Sequence, residues 1–182
     1  MKKEVTVLLI ILQFLVSNSL FAQDGVTASH GISYSIPSLS LVDIEGGASI
    51  NLALSPSSEA GLGMSTSSTD NSLWLNYSST TVSSVTNTIS VKVSGLLPGI
   101  AIKVIASSDA AAGGGVTGTP ASIVTLSTSD QSIITDIGTC YTGDGTNRGH
   151  NLTYSLETTD YSLIKYTATP NTVTITYTVT NN

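Results

Sequence analysis

Residues 172–180 read Thr-Val-Thr-Ile-Thr-Tyr-Thr-Val-Thr. Every second residue is apolar, and the positions between are filled by β-branched threonine. Because successive side chains of a strand point to opposite faces of a sheet, this alternation predicts a strand with one buried and one hydrated face. Threonine suits the hydrated face of a pleated sheet. The C-terminal segment therefore predicts a β-strand.

The same alternation recurs along the chain between turn-forming residues. The clearest further candidates are residues 50–54, 73–77, 89–93, 100–106 and 152–156, and weaker ones are residues 32–36, 39–44, 123–126, 131–137 and 161–166. No stretch after Phe21 shows a sustained helical period with caps, which disfavours α/β folds. Short strands at even spacing predict an all-β domain, an Ig-like or pilin-like antiparallel β-sandwich of about nine to eleven strands.

Charge and cysteine content exclude one class of function and one source of stability. The 182-residue chain has 12 acidic and 6 basic residues, a net charge of −6, and only 10% charged residues. A basic surface for nucleic acid is therefore not expected. One cysteine cannot form an internal disulfide, so stability must come from apolar burial.

The N-terminus has the pattern of a secretory signal peptide. Met1, Lys2 and Lys3 form a basic start, and residues 5–16 are largely apolar. Residues 17–22 begin with polar residues and end with the small residue Ala22. We expect cleavage after Ala22, which leaves residues 23–182 as a single domain. The apolar run is shorter than the roughly 20 residues that span a membrane, so the mature chain is expected to have no membrane span. The predicted location is secreted, extracellular or at the cell surface.

Cys140 and His150 allow three interpretations. Cys140 could be a nucleophile with His150 as its base, a packed free thiol, or an intermolecular disulfide partner. Spacing alone establishes no hydrogen bond, and Arg148 is the only cation nearby, so a packed thiol is favoured. We expect no catalytic residues.

The segment 141–150, here called the 141–150 loop, is the richest polar stretch of the chain. It could contact a ligand through Tyr141, Asp144, Asn147, Arg148 and His150, and its glycines also suit a plain turn. The acid spacing of a calcium loop is absent. We therefore expect no metal and no cofactor.

Trp74 could be either a displayed aromatic or a buried one. Period-two alternation places Leu73, Leu75 and Tyr77 on one face and Trp74 with Asn76 on the other. An exposed indole beside an amide could stack on a sugar ring or fill a partner's pocket. Burial beneath a loop or between the sheets is the favoured alternative.

Three segments resemble a known group of proteins. Residues 72–78 (Ser-Leu-Trp-Leu-Asn-Tyr-Ser), 138–143 (Gly-Thr-Cys-Tyr-Thr-Gly) and 152–156 (Leu-Thr-Tyr-Ser-Leu) resemble uncharacterised secreted β-sandwich proteins of Bacteroidota. The terminal strand is similar to the closing strands of pilin-like and spore-coat-like sandwich domains. The resemblance implies surface or fimbrial roles by analogy. Classical chaperone-assembled pilins usually carry an intradomain disulfide, which this chain cannot make.

These observations favour an exported, noncatalytic structural or adhesive surface module, such as a fimbrial or filament subunit. Its expected partners are copies of itself, other surface proteins or glycans. Ile32, Tyr34 and Ile36 could form a strand donated to a neighbouring subunit, or simply the domain's own first strand. The alternative function is a carbohydrate- or ligand-binding domain. A third hypothesis, a hydrolase using Asp43 and Glu45, lacks an opposing group at the required spacing.

Overall fold

The computed structural model describes residues 26–66 and 69–181, and this part of the chain contains no α-helix. The predicted signal peptide, residues 1–22, lies outside the described residues. The strands are β1 (Ser40–Glu45), β2 (Leu54–Ser55), β3 (Ser65–Thr66), β4 (Thr69–Ser79), β5 (Asn87–Val93), β6 (Ile100–Ala106), β7 (Gly114–Gly115), β8 (Thr119–Pro120), β9 (Val124–Thr125), β10 (Gln131–Ile137), β11 (Cys140–Tyr141), β12 (His150–Thr158) and β13 (Ile175–Asn181). A single 3₁₀ turn covers Tyr161–Leu163.

The strands form two main antiparallel sheets and one short pair. In the larger sheet, β4 pairs with β1 along one side and with β12 and β11 along the other. Strands β6 and β9 continue the sheet beyond β12, and β7 continues it beyond β11. The smaller sheet has the order β13-β5-β10-β8, and β2 pairs only with β3. The eleven residues of β4 are long enough to serve three neighbours.

The core lies between the inward faces of the two main sheets, as in a β-sandwich. Both sheets supply residues with no exposed surface, including Leu75, Val104, Leu152, Ile89 and Val91. Along β5, buried and half-buried residues alternate without interruption, which is the pattern that the sequence predicted. The all-β prediction is therefore confirmed.

Two hydrogen bonds between side chains join the sheets inside this core. The Tyr154 and Tyr177 hydroxyl oxygens, on β12 and β13, lie 2.6 Å apart. Asn87 Nδ2 on β5 donates to Ser79 Oγ on β4 at 2.9 Å. Buried polar groups cost free energy unless they are paired, so each pair removes that penalty and links one sheet to the other.

Some strand predictions were wrong. The structure has thirteen strands in its described part where about nine to eleven were expected, because the two-residue strands include four, β3, β7, β8 and β11, that lie outside every segment in which a strand was predicted. Residues 50–53 keep the predicted alternation of burial but lie outside the strands. Residues 161–166 contain the 3₁₀ turn Tyr161–Leu163 in place of the predicted strand, and Asp160 caps this turn by accepting a hydrogen bond from Ser162 N at 2.9 Å.

Residues 26–36 and residues 37–181 belong to separate units of the structure. Every residue from 26 to 36 is exposed, and none is in a strand, so the weaker strand prediction at residues 32–36 was wrong for the single chain. The second unit holds all thirteen strands. In residues 26–66 and 69–181, no helix is long and apolar enough to cross a membrane.

Candidate functional site

Trp74 lies on the outer face of the larger sheet. Its neighbours Leu73 and Leu75 are buried in the core, and the indole between them is half-buried on the opposite face. Burial of Trp74 between the two sheets, part of the favoured expectation, was therefore wrong. The side chain is neither fully displayed nor part of the core.

Polar residues flank Trp74 within one row across three strands. Glu45 of β1 stands directly opposite Trp74 on one side, and Asn151 of β12 stands opposite it on the other. Both flanking side chains are partly exposed. Asp43, two residues before Glu45 on the same face of β1, is exposed and pairs with Asn76. The row therefore places a carboxylate, an indole and an amide side by side.

The 141–150 loop lies next to this row and is hydrogen-bonded to β4. Asn76 Nδ2 donates to the Gly145 carbonyl oxygen at 2.8 Å, which leaves Asn76 only 5% exposed. Thr142 Oγ1 accepts from the Tyr77 backbone N–H at 3.0 Å. Asn76 was predicted as a contact residue, and the structure shows it as an anchor beneath the loop.

Gly149 fixes how closely the loop approaches β4. Its φ is +62°, and an added Cβ would lie 2.2 Å from the Leu75 carbonyl oxygen and 2.8 Å from Asn76 Oδ1. Only glycine tolerates both this backbone conformation and this contact. The loop is therefore packed against the strand.

The remaining predicted residues of the loop divide into exposed and buried ones. Tyr141, Asp144, Asn147 and Arg148 are exposed, whereas His150 has no exposed surface. The predicted ligand loop thus presents four of its five named side chains to solvent. Within residues 26–66 and 69–181, no three His, Cys, Asp or Glu side chains are grouped as metal ligands.

His150 belongs to a buried network with Tyr77. Its ring stacks on the Tyr77 ring with centroids 5.6 Å apart, and Nε2 lies 2.7 Å from the Tyr77 hydroxyl oxygen. The Nδ1 atom lies 2.7 Å from the Ser107 carbonyl oxygen, which can only accept, so Nδ1 donates. The Tyr77 hydroxyl donates to the Thr117 carbonyl oxygen. The network therefore joins β4 and β12 to two loops.

Sequence reasoning assigned His150 to the ligand loop and missed this network. His150 lies two residues before the buried Leu152, so the period of the strand places both on the same inward face. Tyr77 was already assigned to the inward face of β4. That shared direction was the signal that could have placed the two rings together in the core.

Cys140 is buried, and its thiol is not paired with His150. The imidazole nitrogens face the Tyr77 hydroxyl and the Ser107 carbonyl. Burial raises the pKa of the Cys140 thiol from 9.0 to about 11, and the Asp109 carboxylate adds to the shift. A protonated thiol is a poor nucleophile, so the packed thiol is the interpretation that this geometry favours. An intermolecular disulfide would need the thiol to leave its buried position.

The predicted donor residues are exposed apolar side chains near the start of the described chain. Ile32, Tyr34 and Ile36 are 79%, 86% and 76% exposed. They alternate with Ser33 and Ser35, so the segment has the side-chain period of a strand but no strand partner in the structure.

Comparisons with protein-family models, curated proteins and solved structures found no match.

Proposed function

We propose that the chain is an exported, noncatalytic structural or adhesive module that assembles with copies of itself at the cell surface, as a fimbrial or filament subunit does. One observation carries the proposal. Residues 32–36 alternate as a strand does, yet their three apolar side chains are exposed. A second copy would bury these side chains by pairing with the segment.

An available sheet edge supports this proposal. Strand β13 ends the smaller sheet, and no strand of the described residues pairs with its outer side. Its seven residues pair with β5 without a register shift, and they include no charge and no proline. Proteins usually protect an edge with charges, proline or bulges, so β13 is open to strand addition.

The core-facing apolar residues of β13 and of the nearby strand β1 are incompletely covered. Ile175, Tyr177 and Val179 of β13 pack against the core but remain half-buried. Val42 and Ile44 of β1, the edge strand that lies close to β13, have the same status. An added strand with Ile32, Tyr34 and Ile36 on one face would cover such residues. Burial of each large apolar side chain contributes about 1.5–3 kcal/mol.

Hydrogen bonds at the start of β1 disfavour pairing within one chain. Leu39 N donates to Thr80 Oγ1 at 2.7 Å, and the Leu39 carbonyl accepts from Thr80 N at 2.8 Å. Thr80 Oγ1 also donates to the Pro37 carbonyl at 3.2 Å. A return of residues 32–36 along the outer side of β1 needs a reversal within residues 37–39, which these bonds hold against Thr80. These bonds therefore disfavour β1 of the same chain as the strand that pairs with residues 32–36.

The noncatalytic part of the proposal rests on composition. Only 10% of residues are charged, and the chain has two histidines and one cysteine. His150 and Cys140 are both buried, and their side chains are not hydrogen-bonded to each other. These two side chains, which could perform acid–base or nucleophilic chemistry, are used in packing.

Electron microscopy and size-exclusion chromatography of the exported protein test assembly. We expect filaments or concentration-dependent oligomers for the unmodified chain. Tyr34→Asp should leave a monomer with an unchanged circular dichroism spectrum, because a charge would have to be buried in the new contact. Val26→Asp, at a fully exposed apolar residue outside the alternating segment, is the control and should still assemble.

A second variant tests the acceptor edge. Thr178→Lys places a charge on the exposed face of β13 and should also prevent assembly. Mixing it with Tyr34→Asp should restore one contact, since each chain keeps one intact partner surface. A monomer at every concentration of the unmodified chain would refute the proposal. Equal assembly of Tyr34→Asp and the unmodified protein would refute the role of residues 32–36.

A further inference from the structure

We propose that the outer face of the larger sheet binds the ring of a neutral sugar at Trp74. The site consists of Trp74 with Glu45 and Asn151 on either side of it and Asp43 on the adjacent row. It lies on a different sheet from β13 and on a different unit from residues 32–36. Sugar binding is thus a function separate from assembly.

The row has polar atoms on both sides of the indole. Neighbouring strands lie about 4.8 Å apart, so Glu45 and Asn151 are separated by roughly 10 Å with Trp74 between them. Asn151 Nδ2 donates to the Asn71 and Leu73 carbonyls at 2.8 and 3.3 Å. These bonds fix the amide, and its Oδ1 accepts no hydrogen bond from a described residue. The Glu45 carboxylate has no ion pair in the same part of the chain.

A pyranose ring matches this arrangement better than a simple cation does. The ring has an apolar C–H face that can lie on an indole, and its hydroxyl groups point outward around the rim. Those hydroxyls can donate to Glu45 on one side and to Asn151 Oδ1 on the other, as a pocket with few placed polar groups requires. An ammonium group over Trp74 would use the carboxylate side and leave the Asn151 amide without a role.

Charge on the face selects against anionic sugars. Asp43 and Glu45 both lie on the outer face of β1, and neither forms an ion pair within the described chain. A uronate or sulfate group on the ligand would place like charges together, which disfavours binding. The expected ligand is therefore an uncharged hexose or N-acetylhexosamine unit of a glycan.

The 141–150 loop closes one end of the site. It covers Asn76, the next outward residue of β4 after Trp74, and it is held there by the Gly145 carbonyl. Gly149 keeps the loop in close contact with β4. Asp144 and Asn147 are exposed on this loop. A fixed wall beside an aromatic residue gives a sugar ring an edge to pack against.

The chain contains a single tryptophan, so its fluorescence reports on this site alone. We would titrate the exported protein with cellohexaose, mannohexaose and chitohexaose, with hexagalacturonate and choline as charged probes. A saturable fluorescence change with at least one neutral oligosaccharide, and none with the charged probes, is the expected result. No change with any neutral probe up to about 10 mM, or a response to a charged probe alone, would overturn the proposal.

Calorimetry on variants tests whether binding uses the assigned residues. Trp74→Ala should weaken binding of the responding oligosaccharide by about tenfold or more, and Glu45→Ala should weaken it by a few-fold. Tyr166→Ala removes an aromatic that is 92% exposed and outside the site, so it should leave affinity unchanged. Equal affinity of Trp74→Ala, in a variant that circular dichroism shows to be folded, would reject the site. Tyr34→Asp should bind as the unmodified chain does, which separates this result from any failure of assembly.

Discussion

Alkaline pH should unfold this protein through four buried groups. Burial raises the pKa of Tyr154 from 10.0 to about 12, partly offset by its hydrogen bond with Tyr177. Burial also raises the pKa values of Tyr77 and Tyr177 well above 10.0, and that of Cys140 from 9.0 to about 11. The folded chain therefore holds these four protons to higher pH than the unfolded chain does. Their stabilisation is complete below about pH 9 and is lost as pH rises above it.

The size of the effect follows from proton linkage. Each group that stays protonated only in the folded state lowers the free energy of unfolding by about 1.4 kcal/mol per pH unit. By pH 11 the Cys140 thiol has removed about 2 kcal/mol and each of the three phenols about 1.4 kcal/mol, or about 6 kcal/mol in all. This loss is comparable with the whole stability of a typical domain, about 5–15 kcal/mol. We expect cooperative unfolding near pH 11.

Urea denaturation at several pH values between 8 and 11, followed by circular dichroism, measures this loss. Above pH 10 the slope should approach a loss of about 4 kcal/mol per pH unit, and each variant Tyr77→Phe, Tyr154→Phe or Tyr177→Phe should reduce it by about one quarter. Tyr166→Phe removes an exposed phenol and controls for the substitution itself. Stability that is constant from pH 9 to 11, or an unchanged slope in the three core variants, would refute the reasoning.

Two further predictions test the loop contact and the core by thermal and urea denaturation. Gly149→Ala should cost about 3 kcal/mol or more, because the new Cβ would meet the Leu75 carbonyl oxygen at 2.2 Å, whereas Gly145→Ala, with no atom within 4 Å of its Cβ, should cost only about 1 kcal/mol of backbone strain. Equal losses in the two variants would argue against a packed loop. Val91→Asp buries an unpaired charge at a position with no exposed surface and should prevent folding, whereas Ile175→Asp, at a half-buried edge position, should give a folded but weaker domain. A larger loss of stability for Ile175→Asp than for Val91→Asp would contradict this assignment of the core.

Alternation predicted most of the sheets because burial itself enforces it. A strand with one face on a core must repeat its apolar residues every second position, and the sequence prediction at residues 100–106 coincides with β6. The predicted bounds 131–137 also coincide with β10, although irregular pairing with β5 leaves the consecutive residues Ile133 and Ile134 both buried. The predictions at residues 73–77 and 152–156 fall inside the longer strands β4 and β12. The pattern indicates which face of a segment is buried, and for these strands that information was sufficient to predict their positions.

Alternation does not state which strand a segment pairs with. Residues 50–53 are alternately half-buried and exposed but lie outside the strands, and residues 32–36 alternate while remaining outside the core. Two-residue strands such as β7 and β8 depend on loops that bring distant segments together, so no local pattern marks them. Tertiary contacts determine whether these segments pair, and the local pattern of one sequence does not specify such contacts.

The candidate site was predicted in part for the same reason. The period of β4 placed Trp74 and Asn76 opposite Leu73 and Leu75, and the structure has them on the outer face. The period could not show that Glu45 and Asn151 flank Trp74, because that depends on the register of two other strands. Nor could it show that a loop folds over Asn76. Sequence spacing identified the side chains and left their neighbours unknown.

The two edge strands at one side of the sandwich carry different chemistry, and this difference bears on both proposals. The outward residues of β1 include Asp43 and Glu45, charges that discourage another strand from pairing with it. The outward residues of β13 are Thr176, Thr178 and Thr180, which give no such protection. In a chain with so few charged residues, their placement on β1 rather than β13 protects the face around Trp74 from sheet contacts. The same placement leaves β13 as the edge at which a second chain can add a strand.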